Sequence, residues 1–441
     1  MLPDYRVLDP AIDHLPADAL QTLQTERLKA TVRYAYDSTA FWKRKLDERG
    51  VSPDDVQDLA DLPRLPFCAK PELLADQAAH PPFGSYVGAE RGRLARFMMT
   101  SGTTGRPLKR VFSARDWGYA LDRMQRRASV GPGDVVVILG PVDGLLGPSA
   151  SAESAQRAGA LVVLTGLYDS KTKIELLQQL RPALVSGAAS YLLHLVDVAR
   201  DAGVDLGSLG IRAVISAGEP GVAVAATRER LAAGWRTFVR DGYGMTELFP
   251  LGGGCRHSTS LHIASDLVIT EIVDPATGTP VAAGEPGEVV FTNIVGDSQP
   301  LLRYRSGDIA RLATDGPCAC GFTGARLRDA IEGRVDDMIW IRGMNVFPSA
   351  IEAVVRGFDA LGDEYEIVVE GPRALPTLRV RAERKAGIDA SGHELERQLG
   401  VALTGAIRAA AEVEVLPFGT LGRSDGRTKR RRVIDRRGES S

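Results

Sequence analysis

The sequence predicts an α/β fold in two domains. The large N-terminal domain consists of parallel α/β subdomains plus a β-barrel-like part, and the C-terminal domain is small and α+β. Between residues 134 and 218, short apolar segments that stop at glycine alternate with segments of helical periodicity, which is typical of a parallel sheet covered on both faces. From about residue 267 the strands are joined by turn-rich segments, and after residue 335 a smaller set of helices and strands follows.

Size and charge narrow the classes of function. The chain has 441 residues and a net charge of −2, so we expect more than one domain and no electrostatic attraction to nucleic acid or to an anionic membrane. No apolar segment approaches the roughly 20 residues that span a bilayer. The start of the chain lacks a signal-peptide pattern, so we expect a cytoplasmic protein. Four cysteines in a chain of this length do not make a disulfide scaffold.

The N-terminal elements follow from apolar spacing. Residues 18–49 have apolar positions at helical spacing and predict one helix. Buried strands are predicted at four apolar segments with helices between them, at residues 134–140, 160–166, 183–187 and 211–218.

The later elements have a different pattern. Residues 267–274 and 287–294 predict antiparallel strands. Beyond them the sequence predicts helix, strand, strand and helix at residues 348–357, 364–371, 377–383 and 392–411, followed by a basic tail. We place the domain boundary so that the N-terminal domain comprises residues 1–335 and the C-terminal domain residues 336–441.

A loop of small hydroxylated residues, "TSGTTGRPLKR" at residues 100–110, follows the predicted strand "LARFMM". Glycines allow the backbone to approach a ligand closely, and amides with hydroxyls suit a phosphate. The loop lacks the P-loop pattern, because Gly105 is followed by Arg106 and Pro107. From these residues alone, a polar turn and a phosphate-binding loop both remain open.

Two further motifs suit a nucleotide. "DGYGMTEL" at 241–248 offers the Tyr243 ring for stacking on a base and the Glu247 carboxylate for Mg²⁺. "LLRYRSGDIARL" at 301–312 places Asp308 at a predicted turn, where its carboxylate can accept bonds from two ribose hydroxyls. Each motif alone also fits a strand-ending turn or a solvated charge pair, but their joint occurrence favours a nucleotide site.

These motifs resemble a known family. "TSGTTGRP", "YGMTE", "YRSGD" and "GRVDDMIWIRGMNVFPSAIE", in this order, are similar to the adenylate-forming superfamily of acyl-CoA synthetases. The chain most resembles the phenylacetate–CoA ligase branch, with which it shares the "GEP" turn at 218–220 and the ending "RVIDRR". The resemblance implies an enzyme that joins a carboxylate to ATP with Mg²⁺ and passes the acyl group to a thiol such as that of coenzyme A.

The resemblance also implies residue roles. The β- and γ-phosphates would be bound by Ser101, Gly102, Thr103, Thr104 and Gly105. Thr246 would contact the α-phosphate and Glu247 would bind Mg²⁺. The remaining nucleotide contacts would come from Glu219 and Pro220 beside the adenine, Tyr243 stacked on it, Asp308 on the ribose, and Arg334 near the ribose and α-phosphate.

The small domain is expected to be mobile. By resemblance, Asp336 is the hinge about which it swings between two reaction poses, and Gly343 would line the pantetheine tunnel. The family has a C-terminal lysine, usually in a Gly-Lys pair, that reaches the carboxylate and α-phosphate, whereas here the tail reads "GRSDGRTKRRRVIDRR". Counting from Gly426 selects Arg427 and counting back from "RVID" selects Lys429. We favour Lys429 because an ammonium is a compact point charge.

Cysteine and histidine predict a structural zinc site. Cys255, Cys318, Cys320 and a histidine form a Cys₃His set suited to tetrahedral Zn²⁺, although free thiols remain an alternative from spacing alone. The phenylacetate–CoA ligase branch includes members with such a site. Their cysteine-to-histidine interval implies His262 as the ligand, with His257 in reserve.

The acyl pocket is expected beside the adenylate. By resemblance, Gly218, Gly244 and Met245 line it, together with residues 140–147 and 186–190, and their small size suits an aromatic acid. Aryl-acid–CoA ligase is the leading hypothesis. The alternatives are an adenylating enzyme that loads a carrier-protein thiol or uses nitrite to diazotise an aromatic amine, and a nucleotide-binding protein without catalysis. Relatives are often homodimers, which is an expectation by analogy.

Overall fold

The computed structural model describes residues 10–100, 107–127, 130–335, 338–341, 344–371, 376–388, 392–422 and 432–437. Over these residues the α-helices are α1 Pro10–Asp13, α2 Ala17–Ser38, α3 Ala40–Arg49, α4 Lys70–Ala79, α5 Ala114–Arg127, α6 Leu146–Arg157, α7 Ser170–Leu180, α8 Ala189–Asp201, α9 Ala225–Trp235, α10 Pro348–Arg356 and α11 Gly392–Ile407. The strands of the first half are β1 Cys68–Ala69, β2 Leu94–Met99, β3 Lys109–Ser113, β4 Val135–Ile138, β5 Leu161–Leu164, β6 Leu184–Gly187, β7 Ala213–Ala217, β8 Phe238–Gly244, β9 Pro250–Cys255 and β10 Ser258–Ile263. Those of the second half are β11 Val268–Val273, β12 Gly287–Asn293, β13 Tyr304–Leu312, β14 Arg326–Arg334, β15 Ile339–Ile341, β16 Met344–Val346, β17 Leu361–Glu370, β18 Thr377–Arg384, β19 Glu412–Leu416 and β20 Val433–Asp435.

One large mixed sheet organises the N-terminal part. Its strand order is β11-β12-β13-β14-β10-β9-β8-β7-β6-β4-β5, and β1 joins β13 in parallel. The strands from β5 to β8 pair in parallel, whereas β9 pairs antiparallel with β8 and the strands beyond it are also antiparallel. The change from parallel to antiparallel pairing that the sequence predicts is therefore confirmed, but it occurs at β9 and β10, before the position near residue 267 where it was expected. We expected this antiparallel part to be barrel-like. Its strands instead continue the parallel part as one sheet.

Alternate residues of β4 pack on opposite faces of the sheet. Val136 and Ile138 share a core cluster with Ala152 and Ala155 of α6. Val137 lies in the cluster that includes residues of α7, α8 and α9. Both faces are thus covered, as a parallel sheet requires.

The helix expected over residues 18–49 is two helices. Thr39 separates them with an extended backbone, φ −134° and ψ 128°. Its side chain accepts a hydrogen bond from the Trp42 N–H at 3.3 Å, so Thr39 is the N-cap of α3. The prediction of a single helix was wrong because helical spacing of apolar residues continues across the cap.

The C-terminal part forms a separate four-stranded sheet in the order β19-β18-β17-β20. Helices α10 and α11 contribute Ile351, Val355, Leu399 and Leu403 to its buried core. The predicted α+β pattern is confirmed. Among the described residues, none of the helices is long and apolar enough to cross a membrane.

Candidate active site

The predicted phosphate loop connects two paired strands, and its two ends are hydrogen-bonded to each other. Strands β2 and β3 pair antiparallel on either side of the loop. The Thr100 N–H donates to the Leu108 carbonyl at 3.0 Å, and the Leu108 N–H donates to the Thr100 hydroxyl oxygen at 2.9 Å. Met99 N–H donates to the carbonyl of Gly144, which follows β4. The candidate loop residues Ser101, Gly102, Thr103, Thr104 and Gly105 lie outside the described residues.

Tyr243 and Arg334, from two different strands, both bind the carboxylate of Asp308 on a third strand. The Tyr243 hydroxyl of β8 donates to Asp308 Oδ2 at 2.7 Å, and Arg334 Nη1 of β14 donates to Asp308 Oδ1 at 2.7 Å. Asp308 lies on β13 directly opposite Arg334. The turn predicted at Asp308 is instead a strand, although Gly307 has φ +77° and the β12–β13 register shifts between Glu288 and Val290. Hydrogen bonds thus bring Tyr243, Asp308 and Arg334 together.

Burial keeps the Tyr243 hydroxyl protonated. Loss of water around the ring, followed by the negative charge of Asp308, raises the pKa of Tyr243 well above its ordinary value. The phenol is therefore a hydrogen-bond donor, and the neighbouring carboxylate is its acceptor. The ring packs against Phe291, with centroids 6.2 Å apart, so its orientation is fixed before any ligand binds.

Glu247 lies in the turn between β8 and β9, one residue after Thr246, and is 8% exposed. Its Oε1 is 3.4 Å from the ammonium of Lys70, the first residue of α4. Tyr304 also lies close to Glu247: burial, and then the Glu247 charge, raise the pKa of Tyr304 well above its ordinary value. Sequence reasoning missed Lys70, because no local pattern links residues that are so far apart in the chain.

The "GEP" turn follows β7 beside the end of β8. Gly218 has φ +92°, which favours glycine, and Pro220 begins a 3₁₀-helix over Pro220–Ala223. The Glu219 carboxylate accepts the backbone N–H of Ser190 at the start of α8. Glu219 therefore fastens the turn to α8, so its carboxylate is already engaged in this structure.

The residues after β8 are tightly packed. A Cβ at Gly244 would lie 2.7 Å from the Phe249 carbonyl oxygen, so this position requires glycine. The partly buried Met245 packs against the main core. Gly218, Gly244 and Met245, the candidates for the acyl pocket, thus follow the carboxyl ends of neighbouring parallel strands, where open α/β sheets place their ligands.

Asp241 precedes Tyr243 by two residues on β8, and alternate strand residues share a face. Burial raises the pKa of Asp241 to about 7, against the opposing effects of the Gly242 N–H, Arg240 and Arg228. Sequence reasoning did not single out this carboxyl group. Its only signal in the sequence is an aspartate directly after the strand-like segment "RTFVR".

The four predicted zinc ligands form one cluster. The ligand atoms of Cys255, His262, Cys318 and Cys320 all lie within 4.8 Å of one another. Cys255 Sγ and Cys318 Sγ are 3.8 Å apart, and Cys320 Sγ is 3.4 Å from His262 Nε2. Around a tetrahedral zinc ion with ordinary bond lengths, two sulfur atoms stand about 3.8 Å apart and a sulfur and a nitrogen about 3.6 Å apart. The cluster therefore fits Zn²⁺.

The surroundings of the cluster also suit a metal. His262 Nδ1 is 3.3 Å from the Gly253 carbonyl oxygen, an outer contact typical of metal-bound histidine. Burial raises the pKa of Cys320 to about 12, although a hydrogen bond with the Phe322 backbone opposes this, so this thiol needs a bound cation to become a thiolate. The reserve ligand His257 has an exposed side chain and is not one of the four clustered residues.

The candidates for the hinge, the pantetheine tunnel and the C-terminal lysine lie outside the described residues: Asp336, Gly343, Arg427 and Lys429.

Known proteins match this chain along nearly its whole length. A profile described as AMP-binding enzyme matches residues 12–294, and a profile of the AMP-binding enzyme C-terminal domain matches residues 343–437. The chain is 32% identical over 455 residues to the phenylacetate-coenzyme A ligase of Thermus thermophilus, covering 97% of this chain and 99% of that protein.

Solved structures of one ligase in two states also match. 2-Hydroxyisobutyryl-CoA ligase in the postadenylation state, in complex with R3-HIB-AMP, has a TM-score of 0.90 at 30% identity, covering 97% of this chain and 92% of that one. The same ligase in the thioesterification state, in complex with 2-HIB-AMP and CoA, has a TM-score of 0.71 at the same identity and coverage. With both domain profiles matched and the fold reproduced, the chain belongs to the AMP-binding enzyme family.

Proposed function

We propose that the chain is an AMP-forming acid–CoA ligase. It joins an aromatic carboxylic acid to ATP, giving an acyl-adenylate and pyrophosphate, and then transfers the acyl group to coenzyme A. The observation that carries the proposal is the meeting of Tyr243, Asp308 and Arg334 in a chain of the AMP-binding enzyme family. A carboxylate is a poor electrophile, and making AMP the leaving group solves this when the phosphate charge is neutralised.

In this proposal the nucleotide lies across the ends of β8, β13 and β14. The Tyr243 ring stacks on the adenine, with Glu219 and Pro220 at its border. Asp308 accepts the ribose hydroxyls, and its two existing donors hold the carboxylate in one orientation. Arg334 is 39% exposed in its side chain, so its guanidinium can also face the ribose and the α-phosphate. The β- and γ-phosphates are assigned to Ser101, Gly102, Thr103, Thr104 and Gly105.

Glu247 is the proposed Mg²⁺ ligand. Its carboxylate is nearly buried and lies 3.4 Å from the Lys70 ammonium in this structure, so Mg²⁺ would take the place of that ammonium beside the carboxylate. Bound Mg²⁺ would offset charge on the phosphates. The hydroxyl of the adjacent Thr246 is assigned to the α-phosphate.

The two half-reactions share the site. We assign the ammonium that approaches the acid carboxylate and α-phosphate to Lys429. Asp336 is the proposed hinge for the small domain, and Gly343 would line the path of the CoA thiol. We also propose that the large domain ends at residue 335 and that the small domain begins at residue 336.

We also propose that Cys255, His262, Cys318 and Cys320 hold a structural zinc ion. The support is the spacing of their ligand atoms and the burial of three of the four side chains. Four protein ligands leave no open position, so the site is structural, not catalytic. It joins β9, β10 and the loop before β14.

An aromatic acid is the proposed substrate. Relatives of nearly full length are named phenylacetate-coenzyme A ligases, and Gly218, where an added Cβ would meet nothing within 4 Å, leaves room beside the adenylate for a flat ring. Met245 would contact the ring from the turn after β8.

The test is a pyrophosphate-release screen. Purified protein receives ATP, Mg²⁺ and one acid at a time, from phenylacetate, benzoate, cinnamate, aminohydroxybenzoate and the non-aromatic 2-hydroxyisobutyrate, with CoA, with nitrite or with neither. We expect release with an aromatic acid and a thioester only when CoA is present. A product that needs nitrite would support the diazotising alternative, and no release with any acid would contradict the proposal.

Two variants test the tail. We expect Lys429→Ala to lower the rate of acyl-adenylate formation by about 100-fold or more and Arg427→Ala to lower it by less than about 10-fold. The opposite order would transfer the role to Arg427.

A homodimer is a separate proposal. Strand β5 is one edge strand of the large sheet, and it exposes Leu161 and Leu164, which suits contact with a second copy. Light scattering after size-exclusion chromatography should give twice the mass of the chain, and a monomer at micromolar concentration would contradict this.

A further inference from the structure

One ion-pair cluster joins the two domains. Arg230, on α9 of the large domain, donates to Asp363 Oδ1 on β17 of the small domain. Arg356, on α10 of the small domain, donates to the same oxygen at 2.6 Å. The side chains of Arg356 and Asp363 are 2% and 13% exposed, whereas that of Arg230 is 30% exposed.

Arg356 forms an ion pair with Asp363 within the small domain. Burial alone would raise the pKa of Asp363, but the positive charges of Arg356 and Arg230 outweigh it and hold the pKa below its ordinary value. Arg356 also pairs with Glu352 on its own helix at 3.4 Å. The small domain therefore retains a paired Asp363 without Arg230, so the Arg230 contact serves only the junction between the domains.

Other contacts lie at the same junction. The Ser349 hydroxyl at the start of α10 donates to the Glu332 carbonyl of β14. A Cβ at Gly333 would lie 2.5 Å from the Phe347 ring, so the two domains are closely packed here. The whole arrangement matches the postadenylation structure of the related ligase better than its thioesterification structure, with TM-scores of 0.90 and 0.71.

We propose that Arg230 is a positioning residue, which holds the small domain in the arrangement used for acyl-adenylate formation and releases it for the reaction with CoA. The inference rests on the proposed function. Arg230 touches neither substrate nor nucleotide in this account. It acts by stabilising one of two domain arrangements, and an interaction made in only one of two states shifts their populations.

Arg230→Ala should therefore separate the two half-reactions. We expect acyl-adenylate formation, measured by pyrophosphate exchange, to slow by about 3–10-fold, as suits the loss of one partly exposed ion pair. Transfer from preformed acyl-adenylate to CoA should stay unchanged or become faster. Arg230→Asp, which repels Asp363, should slow the first reaction further, and Arg230→Lys should restore part of the rate. Equal losses in both half-reactions, or none in either, would overturn the proposal.

Arg236→Ala is the matched control. Arg236 caps the same helix and pairs with Asp205 inside the large domain, so its removal also breaks an arginine–aspartate pair but not the junction. Both half-reactions should match the unaltered protein.

Hydrogen–deuterium exchange gives a readout that does not depend on activity. In Arg230→Ala, amides of α10 and the facing part of α9 should exchange faster, with no change in the core strands β6 and β7, whereas Arg236→Ala should leave α10 unaltered. Unchanged exchange in α10 of Arg230→Ala would overturn the positioning role even in a protein that releases no pyrophosphate. If the unaltered protein releases no pyrophosphate but the exchange changes as expected, the proposed function fails and the domain contact stands.

Discussion

The Tyr243 hydroxyl donates a 2.7 Å hydrogen bond to Asp308, and these two residues lie on different strands of one sheet. Arg334 donates to the other oxygen of the same carboxylate. With one donor on each oxygen, the Asp308 carboxylate is oriented before a nucleotide arrives. Such preorganisation lowers the entropic cost of binding.

Asp308→Ala should weaken nucleotide binding strongly. The ribose hydroxyls would lose an ionised acceptor, and Arg334 would lose its partner, so we expect the KM for ATP to rise by about 30-fold or more. Tyr243→Phe keeps the ring that stacks on adenine and should raise this KM by less than about 5-fold. Pyrophosphate release at varied ATP measures both. An unchanged KM in Asp308→Ala would show that the ribose binds elsewhere.

Removal of a zinc ligand should release the metal. The protein as purified should contain about one zinc per chain, and Cys318→Ala should contain little and unfold about 5 °C lower or more. Elemental analysis and thermal unfolding are the measurements. Cys68→Ala is the control, because Cys68 is fully buried and is not one of the clustered ligands; it should keep its zinc. Zinc retained by Cys318→Ala would contradict the four-ligand assignment.

Asp241 should make stability depend on pH. Its pKa is raised to about 7 in the folded protein, whereas an unfolded aspartate titrates near about 4. The folded state therefore binds the proton more tightly, and this contribution to stability is present at low pH and is lost as pH rises through about 7. Asp241→Asn removes the ionisation. In denaturant titrations the variant should be more stable than the unaltered protein at pH 8, by about 4 kcal/mol, and within about 1 kcal/mol of it at pH 4. The same difference at both pH values would exclude this role.

Arg123 should be important for stability. Its guanidinium is 2% exposed and pairs with Asp13 at 2.6 Å and with Asp266 at 3.0 Å, and both carboxylates are buried. Arg123→Ala would leave two buried charges without their cation and should cost about 3–5 kcal/mol in the free energy of unfolding. Arg157→Ala breaks an exposed pair with Asp122 and should cost less than about 1 kcal/mol. Denaturant unfolding compares the two variants, and similar costs would contradict the argument from burial.

Local patterns predicted much of the fold. Strands β4 to β7 could be predicted because each is a short apolar segment. The break at Thr39 was missed, because the apolar spacing of α2 continues into α3. Asp308 was expected at a turn because "SGD" is a turn sequence, but the bulge beside Gly307 keeps these residues within β13.

Long-range contacts could not be predicted in this way. Lys70 beside Glu247 and Arg230 beside Asp363 join residues that no short pattern connects. The metal cluster was easier, because cysteine is rare in this chain: Cys318 and Cys320 form a close pair, and Cys255 is followed closely by His257 and His262. For the candidates in residues 101–106 and 423–431, sequence resemblance remains the basis of assignment.

The position of His262 has a consequence for the living cell. His262 pairs with Gly253 on β9, and Gly253 pairs in turn with Gly242, the neighbour of Tyr243 on β8. β10, which carries His262, is thus separated by one strand from β8, which carries Tyr243. With the proposed zinc ion as a brace at His262, newly made chains in an organism starved of zinc would lack it, and we expect catalytic output to fall although every proposed nucleotide contact is intact.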